Sequence, residues 1–189
     1  MSFEEIKTKL VDRLYNRKVM DNRERGSFAE AMVWQALGIA DPAWDWVAEG
    51  WHPWDFQKGK DTKRIRIQVR QSAAKQLWTP RRKVVPAFST KIKNKPPSYF
   101  ERDHKGELIE ASGRFCEIFI FAWHGIFDET CDQRDPLQWT FYVVPEKSLG
   151  NKKIVRLADL ESPWLEQNGG RKASWAELGR VVEELSENL

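Results

Sequence analysis

Cysteine is scarce in this 189-residue chain: Cys116 and Cys131 are the only two, without C-x-x-C spacing. That excludes a scaffold built from disulfides and a cysteine-rich zinc cluster, and leaves two reduced thiols as the expectation. Long apolar runs are missing as well. The most apolar stretch, around Ile118 to Phe127, is too short to span a bilayer, and Glu4, Glu5 and Lys7 stand where a secretory leader would need hydrocarbon. The expectation is a cytoplasmic chain with no membrane partner. There is no glycine-rich phosphate loop, no G-x-S-x-G and no H-E-x-x-H. His52, His104 and His124 have no Cys or acidic partner at metal-ligand spacing, so none is read as a ligand or a catalytic base. Repeats and low-complexity tracts are absent too. With 41% hydrophobic and 31% charged residues, the remainder has the balance of one folded domain over residues 1–189.

What the chain does have is charge placed unevenly. Lys58 to Lys95 hold 13 Lys or Arg against one acid, Asp61, a local charge of +12, whereas the rest carries 18 basic and 27 acidic groups. A dense basic segment inside a chain of net charge +3 is what contact with a phosphate backbone requires, because each neutralised phosphate releases counterions. A solvated loop and strand face would show the same pattern. Ten tryptophans are many for this length, and most are expected in the core, where an indole buries a large area. Trp78, beside the basic segment, is the best placed to stack on a base.

Ser2 and Glu5 form the signature of a capping box, followed by Phe3, Ile6, Leu10 and Leu14 at helical spacing, so a first helix is expected over about 2–16. Asp21 or Ser27 starts a second, whose apolar face from Ala29 to Leu37 ends at Gly38. Two aromatic-rich strands are expected at Trp44 to Glu49 and Trp51 to Lys58, then a turn at Gly59 to Lys63. Arg64 to Arg70 alternates strictly, with Ile65, Ile67 and Val69 on one face and Arg64, Arg66, Gln68 and Arg70 on the other. Gln71 to Trp78 could open a short helix. From there to Tyr99 prolines break the chain into loops, except for a short strand near Ala87 to Ile92. Phe115 to Trp123 and Trp139 to Val144 read as buried central strands, Lys153 to Leu157 as a short one, and Ser174 with Glu177 caps a last helix over about 174–187. These elements describe an α/β sandwich with a central mixed sheet flanked by helices.

If the strand ending at Lys58 pairs with the one beginning at Arg64 across Asp61 and Thr62, residues whose numbers sum to 123 face each other. Phe56 then meets Ile67, and Asp55 meets Gln68. Shifting the register by one residue would bury the Asp55 carboxylate, which disfavours the alternative. Asp55, Gln68, Arg66 and Arg70 would share the polar face, close enough for Asp55 and Gln68 to offer oxygens to one cation.

Glu30 on a helix, Pro53-Trp54-Asp55 on a strand and Gln68-Val69-Arg70 beyond a hairpin resemble the motif of the PD-(D/E)xK, or restriction-endonuclease-like, nucleases. The segment Ile67-Gln68-Val69-Arg70-Gln71-Ser72-Ala73-Ala74 is similar to the V-x-V-K-x-S-A stretch of uncharacterised members of that superfamily. Phe115 to Trp123 and Trp139 to Pro145 are similar to its later core strands. The resemblance covers about residues 26 to 160 and implies a restriction-endonuclease-like sandwich. It further implies a site in which Glu30, Asp55, Gln68 and the Val69 carbonyl surround Mg²⁺ (or Mn²⁺), with Arg70 in the lysine position. Asp55, Gln68, Arg70 and Glu30 would form the catalytic group of a metal-dependent phosphodiester hydrolase acting on DNA. The alternative is a nuclease-like module that binds nucleic acid or assembles with partners without catalysis.

Two departures separate the chain from the pattern. Gln68 supplies a neutral amide oxygen where a carboxylate is usual, so the site holds two formal negative charges instead of three. Arg70 stays protonated at ordinary pH, which excludes it as a general base but suits it to clamp a phosphate and stabilise developing charge. Lys75, Arg81, Arg82, Lys83, Lys91, Lys93 and Lys95 would position the backbone without reading sequence. A homodimer is compatible with this reading, since double-strand cutters often pair, although no interface is identified. Each residue also has a structural reading. Asp55 could pair with Arg66 on the surface, Glu30 could be a solvated helix residue, and Gln68 with Arg70 could be one exposed strand face.

Overall fold

A computed structural model describes residues 2–47, 53–60, 63–78, 85–91 and 113–189. In chain order these form α1 (Phe3–Tyr15), α2 (Asn22–Ala40), β1 (Asp45–Trp46), β2 (Phe56–Lys58), β3 (Ile65–Ala73), β4 (Ala87–Ser89), β5 (Ile118–His124), β6 (Trp139–Pro145), β7 (Ile154–Arg156), α3 (Leu157–Leu160), α4 (Trp164–Gln167), β8 (Arg171–Ala173) and α5 (Trp175–Ser186). Capping explains where the long helices begin. Ser2 with Glu5, Asp21 with Glu24 and Ser174 with Glu177 each form a reciprocal capping box, satisfying backbone N–H groups that a first turn leaves without partners. α2 runs two residues beyond Gly38, and its stop falls at Asp41, whose N–H donates to the Leu37 carbonyl.

Six strands make one mixed sheet in the order β1-β2-β3-β5-β6-β8, with β3 parallel to β5 and every other neighbouring pair antiparallel. β3 and β5 lie at its centre. α2 and α5 cover one face: Met32, Val33 and Leu37 of α2 and Leu178 and Val182 of α5 pack on Ile67, Ile120 and Phe141. The helices cross closely because Gly179 has no side chain. A Cβ there would lie 2.7 Å from the Ala40 Cβ and against the Ala36 carbonyl. The other face is covered by α3, α4 and a separate two-stranded ribbon of β4 and β7, which bring Phe88, Val155, Leu160 and Leu165 onto Phe119, Phe121 and Tyr142. Phe88 meets Phe121 at 5.1 Å between ring centroids, and Phe119 stacks on Phe121 at 5.6 Å.

This second covering layer changes the reading of β3. Its alternating polar face is not wet, for Arg66 is 6% and Gln68 7% exposed. Nor does a helix begin at Gln71; β3 continues to Ala73, paired with β5 along that length. The two aromatic strands are shorter than expected, with β1 confined to Asp45–Trp46 and β2 to Phe56–Lys58, and residues 48–52 lie outside the described residues. β8 and the short helices α3 and α4 come from a stretch where no strand or helix is expected. Among the described residues no helix is long and apolar enough to cross a membrane.

Candidate functional site

The β2–β3 hairpin has the expected register: Phe56 faces Ile67, Gln57 faces Arg66 and Lys58 faces Ile65. Gly59 enters the turn with φ +77°, a conformation that side chains disfavour, while Asp61 and Thr62 lie outside the described residues. Beyond Phe56 the ladder departs from this register, the Asp55 N–H donating to the carbonyl of Ile67, the partner of Phe56, at 2.8 Å. There the Asp55 carboxylate takes the place of a further strand residue, its Oδ2 accepting from the Val69 N–H at 2.6 Å. Asp55 is therefore held by the backbone of the same strand that carries Gln68 and Arg70.

Gln68 is oriented by a carbonyl. Its Nε2 donates to Pro53 O at 2.6 Å, and since that oxygen can only accept, the amide cannot be reversed. This leaves Oε1 as the atom available to accept from or coordinate a ligand. Arg70 donates from Nε to Ser89 O at 3.2 Å and from Nη1 to Val69 O at 3.0 Å. The guanidinium thus rests on the very carbonyl expected among the cation's ligands. Arg66 turns to Glu117 instead of Asp55, with Nε donating to Oε2 at 3.1 Å and Nη2 to Oε1 at 2.5 Å, so the surface Asp55–Arg66 pair is not the arrangement adopted.

Glu30, on α2, completes the group and is half-buried. Its carboxyl is pushed up to about 7, chiefly by burial and then by the negative charge of Asp55, while the Trp46 indole N–H and the Arg70 guanidinium pull it back down. That N–H is itself buried and lacks a full hydrogen bond, so it favours the carboxylate without saturating it. Glu30 is therefore within electrostatic reach of Asp55 and Arg70 where α2 passes the hairpin, and the solvated-helix reading does not describe it. Trp46, which lies within the aromatic-rich strand expected at Trp44 to Glu49, is the neighbour that the motif does not announce.

Among the described residues no group of three or more His, Cys, Asp or Glu gathers in a way that could hold a metal ion, so a cation here would draw on two carboxylates plus amide and carbonyl oxygens. The donor chemistry fits a hard divalent ion, whose charge would offset both the burial and the neighbouring Asp55 charge that raise the Glu30 carboxyl.

Of the expected backbone contacts, Lys75 donates from Nζ to Asp128 O at 2.8 Å, Lys91 is exposed just beyond β4, and Trp78 is 64% exposed. Arg81, Arg82, Lys83, Lys93 and Lys95 lie outside the described residues, as do His52 and His104. His124 is fully buried and structural. Its Nε2 approaches the Asp132 carbonyl at 3.3 Å and Gln138 Oε1 at 3.2 Å, two acceptors that place the proton on that nitrogen.

Fold and site together define a mixed α/β chain in which Gln68 and Arg70 of a central strand are flanked by Asp55 at the start of the hairpin and Glu30 of α2. In comparisons with protein-family models, curated proteins and solved structures, nothing matches this chain.

Proposed function

We propose that the chain is a metal-dependent phosphodiester hydrolase acting on DNA, with a restriction-endonuclease-like fold. The observation carrying this reading is the seating of Asp55 on the backbone of β3, its Oδ2 accepting from the Val69 N–H at 2.6 Å between Gln68 and Arg70, with the half-buried Glu30 feeling the charges of both Asp55 and Arg70. Glu30, Asp55 and the Gln68 amide oxygen are the groups that would hold Mg²⁺ or Mn²⁺, with the Val69 carbonyl sharing its oxygen with Arg70. When bound, such an ion supplies Lewis acidity toward water and a phosphoryl oxygen. The chain's own contribution is positioning. The Val69 N–H fixes one oxygen of Asp55, Pro53 fixes the amide of Gln68, and the Ser89 carbonyl aims the Arg70 guanidinium, which can hold a phosphate oxygen and neutralise charge developing on it.

The contact between Arg70 and the Val69 carbonyl favours a second reading, a binding module without hydrolysis, because a fixed guanidinium can do part of a cation's work for the two carboxylates. One assay separates the two: plasmid and linear DNA are incubated with Mg²⁺ or Mn²⁺ and the wild-type chain or Asp55→Ala. Cleavage lost in the variant supports the hydrolase. Cleavage that persists removes Asp55 from the mechanism, and DNA retained but never cut by either protein selects the binding module.

A further inference from the structure

One turn beyond Glu30 on the same helix stands Trp34, the i+4 position and so the next residue along that face. It is 48% exposed and packs on Trp46, with ring centroids 5.7 Å apart. Together with Trp44, Gln35, Gly38 and Asp45 these rings line a surface groove of about 920 Å³. The groove adjoins the carboxylate cluster through Trp46, whose ring lines it and whose indole N–H faces the Glu30 carboxyl. Trp46 sits in β1, whose following residue, Val47, donates its N–H to the Asp55 carbonyl at 3.0 Å, and Glu30 lies on the helix that forms the groove's wall.

The chemistry of the lining selects the part of a ligand that enters. An aromatic wall offers stacking area to a flat ring, and Asp45 repels phosphate while accepting hydrogen bonds from ring N–H or amino groups. Gln35 can both donate and accept. A phosphodiester is thus directed toward Arg70 and its attached base toward the indoles. We propose that the tryptophan groove is a base-binding subsite, which stacks an unpaired nucleobase of the DNA strand whose phosphodiester lies at Asp55 and Arg70. Because a base cannot stack on Trp34 and remain inside a duplex, the substrate class is single-stranded or end-frayed DNA. This deepens the reading of the site as one that receives a phosphodiester and rests on it.

The test uses a short single-stranded oligonucleotide carrying 2-aminopurine, titrated in chelator with the full chain, Trp34→Ala and Trp34→Phe. Quenching of the base by the wild-type chain is expected, with binding weakened about tenfold in Trp34→Ala and largely recovered in Trp34→Phe, as loss and return of one stacking contact require. Binding without quenching, or equal binding by all three proteins, overturns the assignment. So does a Trp34-dependent titration by a proline-rich peptide with no Trp34 effect on the oligonucleotide, which would make the groove a protein-docking surface. Equal affinity for a blunt duplex of the same sequence overturns it as well. Asp55-dependent cleavage without quenching sinks the subsite alone. Quenching without any cleavage sinks the hydrolase alone, and no binding to any oligonucleotide sinks both.

Discussion

Glu30 gains a proton preference on folding that it does not have in the unfolded chain, where its value is the ordinary 4.5. Its folded value is raised to about 7, so the protonated form favours the native state. Its contribution is fully present below about pH 4.5 and is lost as the pH rises through about 7. In chelator, Glu30→Gln should therefore be more stable than the wild type at about pH 8, by roughly 1–3 kcal/mol, and level with it at about pH 4.5, as read from urea denaturation. A wild-type advantage at high pH would mean that the carboxylate is not under strain. Adding Mn²⁺ should then stabilise the wild type and leave Glu30→Gln nearly unmoved, since a ligand that binds only the native state shifts unfolding by mass action. His124 has the opposite sign. Burial lowers its value from 6.5, so the unfolded chain takes up protons first and stability falls as the pH drops through about 6.5. His124→Gln should flatten that acid limb, and a limb unchanged in the variant would assign it to other groups.

Hairpin pairing, unlike the pairing of distant strands and the packing of layers, is a local matter, and that difference decides what the sequence reveals here. The β2–β3 register follows from strict alternation across a short turn, and the helix starts follow from caps three residues apart, so both are readable directly. The same register leads Asp55 onto β3, where its carboxylate accepts from the Val69 N–H. The burial of Arg66 and Gln68 is not readable, because it depends on partners that the alternation does not announce: the Glu117 carboxylate and the Trp54 ring on Arg66, and the Pro53 carbonyl on Gln68. β8 is hidden similarly, as a three-residue strand recruited to the edge of β6. The α2–α5 crossing lies between these cases: each helix is legible, but their closeness at Gly179 is not. Alanine there improves intrinsic helix propensity by about 1 kcal/mol, yet its Cβ would press on the Ala36 carbonyl and the Ala40 methyl. Gly179→Ala should thus destabilise the chain by about 2 kcal/mol net, seen as a lower urea midpoint at an unchanged slope. A gain in stability would show that the two helices can move apart freely.

On the scale of the whole chain, the segment from Lys58 to Lys95 carries +12 while the rest is net acidic, the excess of one sign that attraction of a polyanion requires. Part of this charge is already committed inside the fold. Lys58 bridges Asp41 and Glu183, and Arg66 is buried on Glu117, so neither is available to a phosphate. Arg70 belongs to the site, whereas Lys75 and Lys91 remain as peripheral cations that touch no candidate ligand of a metal. Their role is therefore distinguishable from that of Trp34 and Asp55 by salt dependence. Neutral replacements at Lys75 and Lys91 should each reduce the slope of log affinity against log salt by about one if the side chain contacts a phosphate, and should weaken all DNA sequences alike. Trp34→Ala should lower affinity at every salt concentration while leaving that slope in place, because stacking releases no counterions. Affinity that does not fall with added salt in the wild type would separate the basic segment from DNA altogether, and a slope reduced by Trp34→Ala would show that the groove receives phosphate instead of a base.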